Sequence, residues 1–303
     1  KLSTKHYWDK LKKYSEVRKL IKKISPDIVL SMPEEIGIYV IGALLGSKIP
    51  VVVSERNNPW VMPNKKTTRI IRKFLYPYAD GIIFQTNQAA SFFSKKIQNK
   101  GIVLPNPLDS SRIPEPFTGE RDKVIVGAGR FEPQKNFSLL IEAFKEFYQQ
   151  HQDYKLVIYG DGRLRKQLEY EIENARLPAG TIELPGRVSD LPEKINKATA
   201  FVLSSDYEGM PNVLIEAMAM GVPCISTDCP PGGPAQLIRN KENGLLCPVG
   251  DKNQLVNCLN LLVDNPSISE KYSLESRKIK ASLDASIISK EWLEYLAKRI
   301  NKK

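Results

Sequence analysis

Short runs of β-branched and aromatic residues alternate with helical patterns along most of the chain. The pattern of residues 1–104 predicts, in order, strand 27–31, helix 34–45, strand 50–54, helix 65–76, strand 80–85, helix 87–97 and strand 101–104. From residue 123 onward the pattern predicts about six further strands, with helices between them. Because strands that alternate with helices pair in parallel and are covered on both faces, we predict an α/β fold of two Rossmann-like, doubly wound sheets.

A stretch rich in proline separates the two series of strands. Five residues that disfavour helix and strand fall within it: Pro105, Pro107, Pro114, Pro116 and Gly119. We therefore predict a partial first domain over 1–118, a second domain over 119–283, and a C-terminal helix over 284–303 that packs back on the first domain. The first series has only four strands and begins at Lys1 rather than at methionine, so we expect its opening strands to precede Lys1.

The positive charge of the chain is concentrated in its first part. Residues 1–118 contain 20 Lys and Arg against 9 Asp and Glu, whereas residues 119–303 contain 25 of each. An excess confined to one module indicates an anionic partner for that module. The basic residues cluster over 10–23 and over 65–73, where they alternate with apolar residues. We expect this domain to dock on an anionic membrane surface; the alternative is a solvated helix whose apolar face packs on the sheet.

The composition excludes several other kinds of protein. The longest apolar run, over 36–46, is too short to cross a bilayer, so we expect a cytoplasmic protein, peripheral on the inner face of the cell membrane. The four cysteines do not have the spacing of metal ligands and are predicted to be buried, reduced thiols. With two histidines in the chain, a zinc site or a histidine-based triad is not expected. We predict no metal and no cofactor.

The segment from Gly127 to Asn136 follows a predicted strand and leads into a predicted helix. Its glycines allow close approach of the backbone to a ligand, and the start of the helix offers N–H groups to an anion. Arg130 and Lys135 add two cations, a combination that suits a diphosphate. The alternative is a tight turn with two solvated charges.

Three more segments end strands of the second series, over 159–162, 208–218 and 226–234. In the middle segment, Glu216 lies within a predicted helix among apolar residues, so its carboxylate needs a polar partner. A sugar hydroxyl or a ribose diol would serve, as would an ordinary salt bridge. Ligands of such sheets bind outside the carboxyl ends of the strands, so the convergence of all four segments there predicts a ligand site.

Together these segments resemble the retaining glycosyltransferases of family 4, which have the GT-B fold. The resemblance covers nearly the whole chain and is most specific at Glu208 and Glu216, which match the family's Glu-x7-Glu signature. Further matches are Gly129-Arg130 with Lys135, Gly160-Asp161-Gly162, and Pro105-Asn106-Pro107. Residues 54–59 resemble a subgroup of bacterial capsule and exopolysaccharide enzymes, with Arg56 where many members have histidine.

The resemblance implies a metal-independent hexosyltransferase that uses a nucleotide sugar, commonly a UDP-sugar, with retention of configuration. Arg130 and Lys135 would hold the donor diphosphate, Glu216 would bind the ribose, and Glu208 would contact the donor sugar. Further donor contacts are expected at Gly129, Gly160, Arg187, Val188, Gly209, Met210, Asn212, Val213 and Leu214. Glu55, Arg56 and Asn57 are expected on the acceptor side, facing a growing cell-surface glycan or a lipid-linked acceptor.

Other classes of protein are less well supported. A nucleotide-sugar-binding or regulatory protein that has lost catalysis would not need the intact set of Arg130, Lys135, Glu208 and Glu216. No candidate for the cofactor-binding lysine of a phosphorylase is evident. The pI of 9.3 is compatible with nucleic-acid binding, but the basic residues are not interleaved with aromatics as in single-strand binders. A dehydrogenase would carry Gly-x-Gly-x-x-Gly followed by an acidic residue, which is missing here.

Overall fold

The computed structural model describes the backbone of residues 7–300 and the side chains of residues 12–300. Lys10, at the start of the predicted basic cluster, lies outside the described side chains. The chain divides into two compact units, of which the first comprises Lys1–Asn106 with Ser286–Lys303 and the second Pro107–Ala285. Most of the proline-rich stretch therefore belongs to the second unit.

The first unit contains a four-stranded parallel sheet in the order β1-β2-β3-β4. Its strands are β1 (Val29–Ser31), β2 (Val51–Glu55), β3 (Gly81–Phe84) and β4 (Gly101–Val103). Its first five helices are α1 (Tyr7–Ile24), α2 (Glu34–Leu44), α3 (Lys66–Leu75), α4 (Asn87–Ser91) and α5 (Lys95–Gln98). The predicted helix 87–97 is divided in two because Ser94 has an extended backbone that interrupts it.

Helix α3 packs with a polar residue inward. Arg72 is the one residue of this helix that is buried, whereas Ile70, Ile71 and Phe74 are 50%, 43% and 68% exposed. The Arg72 guanidinium donates to the Glu55 carboxylate at 3.3 Å and to the carbonyls of residues 59 and 62 at 2.6 and 2.9 Å. The alternative in which the apolar face of this helix packs on the sheet is therefore wrong.

The carboxylate of Glu55 lies inside the first unit. It is 1% exposed and accepts a second hydrogen bond from the Tyr76 hydroxyl. Burial raises the pKa of Glu55 to about 7, against the opposing effect of Arg72. This placement corrects the expectation that Glu55 faces an acceptor, because both carboxylate oxygens already have partners in the interior.

The second unit contains a six-stranded parallel sheet in the order β10-β9-β8-β5-β6-β7. Its strands are β5 (Asp122–Ala128), β6 (Lys155–Tyr159), β7 (Ile182–Gly186), β8 (Ala198–Leu203), β9 (Cys224–Thr227) and β10 (Leu245–Cys247). Its helices are α6 (Phe137–Phe147), α7 (Arg165–Ala175), α8 (Leu191–Asn196), α9 (Asn212–Ala219), α10 (Gly233–Leu237), α11 (Lys252–Asp264), α12 (Pro266–Ser276) and α13 (Ile279–Ser282). The α/β prediction is confirmed, although α8 and α10 were not predicted because they are too short to show a periodic apolar face.

The last helix, α14 (Ala285–Ile300), covers part of the first sheet. The Tyr295 hydroxyl accepts a hydrogen bond from the Ile82 amide at 2.9 Å and donates to the Lys100 carbonyl at 2.5 Å. A Cβ on Gly81 would lie 2.6 Å from this hydroxyl, so the close approach requires glycine. None of the helices in the described part of the chain is long and apolar enough to cross a membrane.

The buried Glu55 carboxylate makes the stability of the protein depend on pH. An acid whose pKa is higher in the folded state stabilises the fold below its unfolded pKa, here about 4.5, and this contribution is lost as the pH rises through about 7. We expect the unfolding free energy of wild type, relative to Glu55→Gln, to fall between these two pH values in denaturant titrations. Glu35→Gln, at an exposed site on α2, is the control. A difference between wild type and Glu55→Gln that stays constant with pH would contradict this prediction.

Candidate active site

The carboxyl ends of the parallel strands in the second unit bring the four predicted segments to one edge. Strand β5 ends at Ala128, β6 at Tyr159, β8 at Leu203 and β9 at Thr227. Because these four strands are neighbours in the order β9-β8-β5-β6, the loops that follow them are neighbours as well. Side chains that are far apart in the sequence meet at this edge.

The loops after β5, β6 and β7 approach one another through their backbones. The Gly129 amide donates to the Tyr159 carbonyl, and the Gly160 amide donates to the Gly186 carbonyl, each at 2.9 Å. A Cβ on Gly160 would lie 1.8 Å from the Gly129 carbonyl oxygen, and Gly160 has a φ of +141°. No other residue fits at position 160 without moving this loop.

Lys135 and Glu208 form an ion pair at the same edge. Lys135 Nζ lies 2.5 Å from Glu208 Oε1, and the two side chains are only 15% and 9% exposed. The Ser205 hydroxyl donates to the same carboxylate oxygen at 2.7 Å. Asn136 Nδ2 donates to Asp206 at 2.8 Å, which joins the two loops a second time. The ends of β5 and β8 are thus held together by charged and amide side chains.

The loop after β9 supports the segment that leads into α9. The Glu208 amide donates to the Pro230 carbonyl at 2.9 Å. A Cβ on Gly233 would lie 1.7 Å from the Gly209 carbonyl oxygen, so the two backbones touch. Glu208, Gly209 and the first turn of α9 are therefore placed by main-chain contacts.

A groove of about 300 Å³ lies beside the ion pair. Its lining residues are Gly129, Arg130, Tyr159, Gly160, Asp161, Arg187, Val188 and Leu191. Arg130 and Arg187 are exposed, and neither forms an ion pair with a described carboxylate. The groove thus combines close-packed backbone with two available cations, which suits a phosphate-bearing ligand.

Glu216 faces a different cavity, of about 700 Å³, that shares Leu191 with the groove. Arg112, Asn212 and Ile215 also line it. Burial raises the pKa of the half-buried Glu216 carboxyl, and the positive charge of Arg112 opposes this effect. The two glutamates of the signature therefore face two adjoining spaces: Glu208 joins Lys135, and Glu216 points toward Arg112.

The remaining predicted donor contacts differ in what they can offer. The side chains of Met210 and Leu214 are buried, and the Leu214 amide donates to the Pro211 carbonyl at 3.1 Å. This corrects the expected contact of the Leu214 N–H, because its hydrogen bond is used within the first turn of α9. Val213 is half-buried, and Asn212 is exposed at the start of the helix.

In the first unit, Arg56 and Asn57 lie at the carboxyl end of β2. Arg56 donates through Nη2 to Asn106 Oδ1, while its buried Nη1 has no described partner. Gln85 Nε2 also donates to Asn106 Oδ1, at 2.7 Å. Asn57 Oδ1 accepts from the Asn58 amide at 2.9 Å. Sequence reasoning missed Asn106 as a partner of Arg56, as it missed Ser205 and Arg112 beside the two signature glutamates.

These two Rossmann-like units, with a cationic groove at the strand ends of the second, define a GT-B glycosyltransferase. The chain belongs to the family of glycosyl transferases group 1, whose model matches residues 111–279. The resemblance to this type of enzyme is thereby confirmed.

The relatives of this chain include enzymes of bacterial glycan assembly. It is 27% identical, over 95% of its length and 79% of the relative's, to the GalNAc-α-(1→4)-GalNAc-α-(1→3)-diNAcBac-PP-undecaprenol α-1,4-N-acetyl-D-galactosaminyltransferase of Campylobacter jejuni. It is 28% identical, over 84% of its length and 71% of the relative's, to the UDP-Gal:α-D-GlcNAc-diphosphoundecaprenol α-1,3-galactosyltransferase of Escherichia coli. The structure of S. aureus TarM in complex with UDP matches 93% of this chain with a TM-score of 0.79 at 18% identity. This chain spans 58% of the TarM chain.

The contact between residues 160 and 129 can be tested by adding one methyl group. We expect Gly160→Ala to lower the unfolding free energy by on the order of 3 kcal/mol, because the new Cβ collides with backbone. Gly250→Ala is the matched control: its φ is +74° but no atom lies within 4 Å of the added Cβ, so only the backbone strain, about 1 kcal/mol, applies. Equal losses in urea titrations of the two variants would contradict the close approach.

Proposed function

We propose that the protein transfers a hexosyl unit, with retention of configuration, from a UDP-sugar to a lipid-linked or polysaccharide acceptor. The observation that carries the donor part of this proposal is the Lys135–Glu208 ion pair, set between the cationic groove and the cavity of Glu216. A nucleoside diphosphate needs cations at its phosphates and a hydrogen-bond acceptor at its ribose, and these lie side by side at one edge of the sheet.

The diphosphate is assigned to Arg130 and Lys135. Cleavage of the glycosyl–phosphate bond leaves negative charge on the departing phosphate, and fixed cations stabilise that charge as it develops. Lys135 is held in place before the donor arrives by its bond to Glu208. The exposed Arg130 guanidinium can turn toward the phosphates. The leaving phosphate then takes the proton of the acceptor hydroxyl, which attacks from the same face, so the configuration is retained.

The donor sugar and the nucleoside are assigned to the two signature glutamates. Glu208 uses Oε1 for Lys135 and Ser205, and its Oε2, which has no bond to a described residue, is the oxygen we assign to a sugar hydroxyl. Glu216 accepts from the ribose hydroxyls in the larger cavity. The base then lies toward Arg187 and Val188, which line the groove on the far side of Leu191.

The acceptor is assigned by the names of the relatives and by the charge of the first unit. Both curated relatives described above are named for acceptors that carry undecaprenol through a diphosphate. An acceptor of this kind resides in a membrane. The basic excess of residues 1–118 and the exposed apolar residues of α3 support an anionic membrane surface as partner, on the cytoplasmic side.

Donor binding without a metal is the first test of this function. A ligand that binds only the folded protein raises its melting temperature, by an amount that increases with concentration. We expect UDP in EDTA to raise the melting temperature of this chain, and Glu216→Gln to weaken the shift because a ribose acceptor is lost. CMP in place of UDP controls for the diphosphate. The absence of a shift with UDP, GDP and ADP alike would overturn the proposed function.

Turnover separates the roles of the charged residues. We expect Arg130→Ala and Lys135→Ala to lower kcat by on the order of 100-fold or more, since leaving-group charge grows in the transition state. Glu216→Ala should mainly raise KM for the donor, since ribose contacts persist throughout the reaction. Because Lys135→Ala leaves the Glu208 carboxylate without its cation, its melting temperature must be measured beside its rate. Unchanged kcat in both cation variants, or binding of UDP with no transfer by wild type, would favour a binding protein that has lost catalysis.

A further inference from the structure

A second groove, in the first unit, lies between α3 and the segment of α4 and α5, and it encloses about 560 Å³. Its apolar walls are formed by Trp60, Ile70, Phe92, Phe93 and Ile97. This volume is within the range of roughly 300–1,000 Å³ that is usual for sites that bind small molecules. It lies apart from the groove and cavity of the second unit, and the proposed reaction makes no use of it.

Aromatic rings are exposed at the mouth of this second groove. The Trp60 and Phe92 rings meet edge to face with centroids 5.1 Å apart, and Phe92 meets Phe93 at 4.9 Å. Trp60, Phe92 and Ile70 are 45%, 38% and 50% exposed. Large apolar side chains left in water around one concave site indicate a binding surface for an apolar ligand.

Three cations stand along the same groove. Lys66, Arg69 and Lys73 line it, and their spacing on α3 places them on one helix face with Ile70. Arg69 Nη1 is held by three carbonyls, at 2.8, 2.8 and 3.1 Å, which fixes its guanidinium at the groove. Lys66 and Lys73 are exposed and form no ion pair with a described carboxylate. The ligand therefore has an anionic group as well as an apolar part.

The floor of the second groove is rigid. The Arg72 guanidinium carbon lies 5.1 Å from the Phe92 ring and 5.2 Å from the Phe93 ring, and Arg72 is bound in turn to Glu55. Stacking of this kind stabilises both partners when the cation is removed from water. The aromatic wall is thus braced from beneath and does not need a ligand in order to form.

We propose that this groove binds the phosphate-proximal part of a polyprenyl phosphate or diphosphate. The isoprenoid chain lies against Trp60, Ile70 and Phe92, and the phosphate lies against Lys66, Arg69 and Lys73. This inference rests on the proposed function, because it supplies the lipid part of the acceptor. Ile71 and Phe74 do not line the groove, and they are free to meet the surrounding bilayer.

The test uses farnesyl phosphate, a soluble isoprenoid phosphate, and the whole chain. Tryptophan fluorescence reports binding because Trp60 is in the wall, and Trp60→Phe identifies its part of the signal. We expect wild type to bind farnesyl phosphate at least tenfold more tightly than farnesol or inorganic phosphate. Phe92→Ser and the double variant Lys66→Ala/Lys73→Ala should each weaken binding about tenfold or more. Phe74→Ser, on the same helix but outside the groove, is the matched control and should bind like wild type.

The melting shift with UDP is measured on every variant, and it separates the possible outcomes. A variant that keeps this shift has folded, so its loss of farnesyl phosphate binding supports the groove. Wild type that responds to UDP but not to farnesyl phosphate would overturn this inference and leave the proposed function standing. Loss of both responses in wild type would overturn both.

Two further results would assign the groove to another occupant. Pelleting of wild type with anionic vesicles, without binding of farnesyl phosphate, would make this face a bilayer-docking surface only. A concentration-dependent dimer that Phe92→Ser abolishes would make the occupant a second copy of the chain. Farnesyl phosphate binding that is the same in Phe92→Ser and Phe74→Ser would place the lipid elsewhere. Each of these results would overturn the inference.

Discussion

All six strands of the second sheet run in the same direction, and the site depends on this polarity. Parallel strands require a crossover after each strand, so their carboxyl ends and the loops that follow lie at one edge. Lys135 follows β5 and Glu208 follows β8, and the adjacency of these two strands is what brings the two side chains within 2.5 Å. Neither residue could be charged and largely buried in this place without the other, because an unpaired buried charge is strongly destabilising.

Backbone contacts do much of the positioning at this edge. Gly160 touches the carbonyl of Gly129, and Gly233 touches the carbonyl of Gly209. Each contact removes a gap that would otherwise need a side chain to fill it, and it leaves the surrounding amides and cations facing the ligand. Donors and cations that are fixed in advance stabilise developing charge without having to reorganise during the reaction. The same contacts make these glycines costly to replace, which links the stability of the unit to its proposed chemistry.

The sequence predicts the strands and the convergence of the four segments because alternation and strand polarity are properties of the chain read in order. It does not predict which partners meet across loops. Glu208 and Glu216 are equivalent in the signature, yet one binds Lys135 and the other faces a cavity with Arg112. Helix α3 shows the other limit: its amphipathic pattern was compatible with an apolar face turned inward, and the buried Glu55 carboxylate decides the orientation instead.

The orientation of α3 follows from a competition between one ion pair and several apolar side chains. With Ile70 and Phe74 turned inward, Glu55 would be left buried without its cation, which costs several kcal/mol. With Arg72 inward, the ion pair, the Tyr76 bond and the two carbonyl contacts are all formed, and the cost is exposed apolar surface. That surface costs least where an apolar partner covers it, so the buried pair of the first unit and its proposed lipid groove are two consequences of the same choice of helix face.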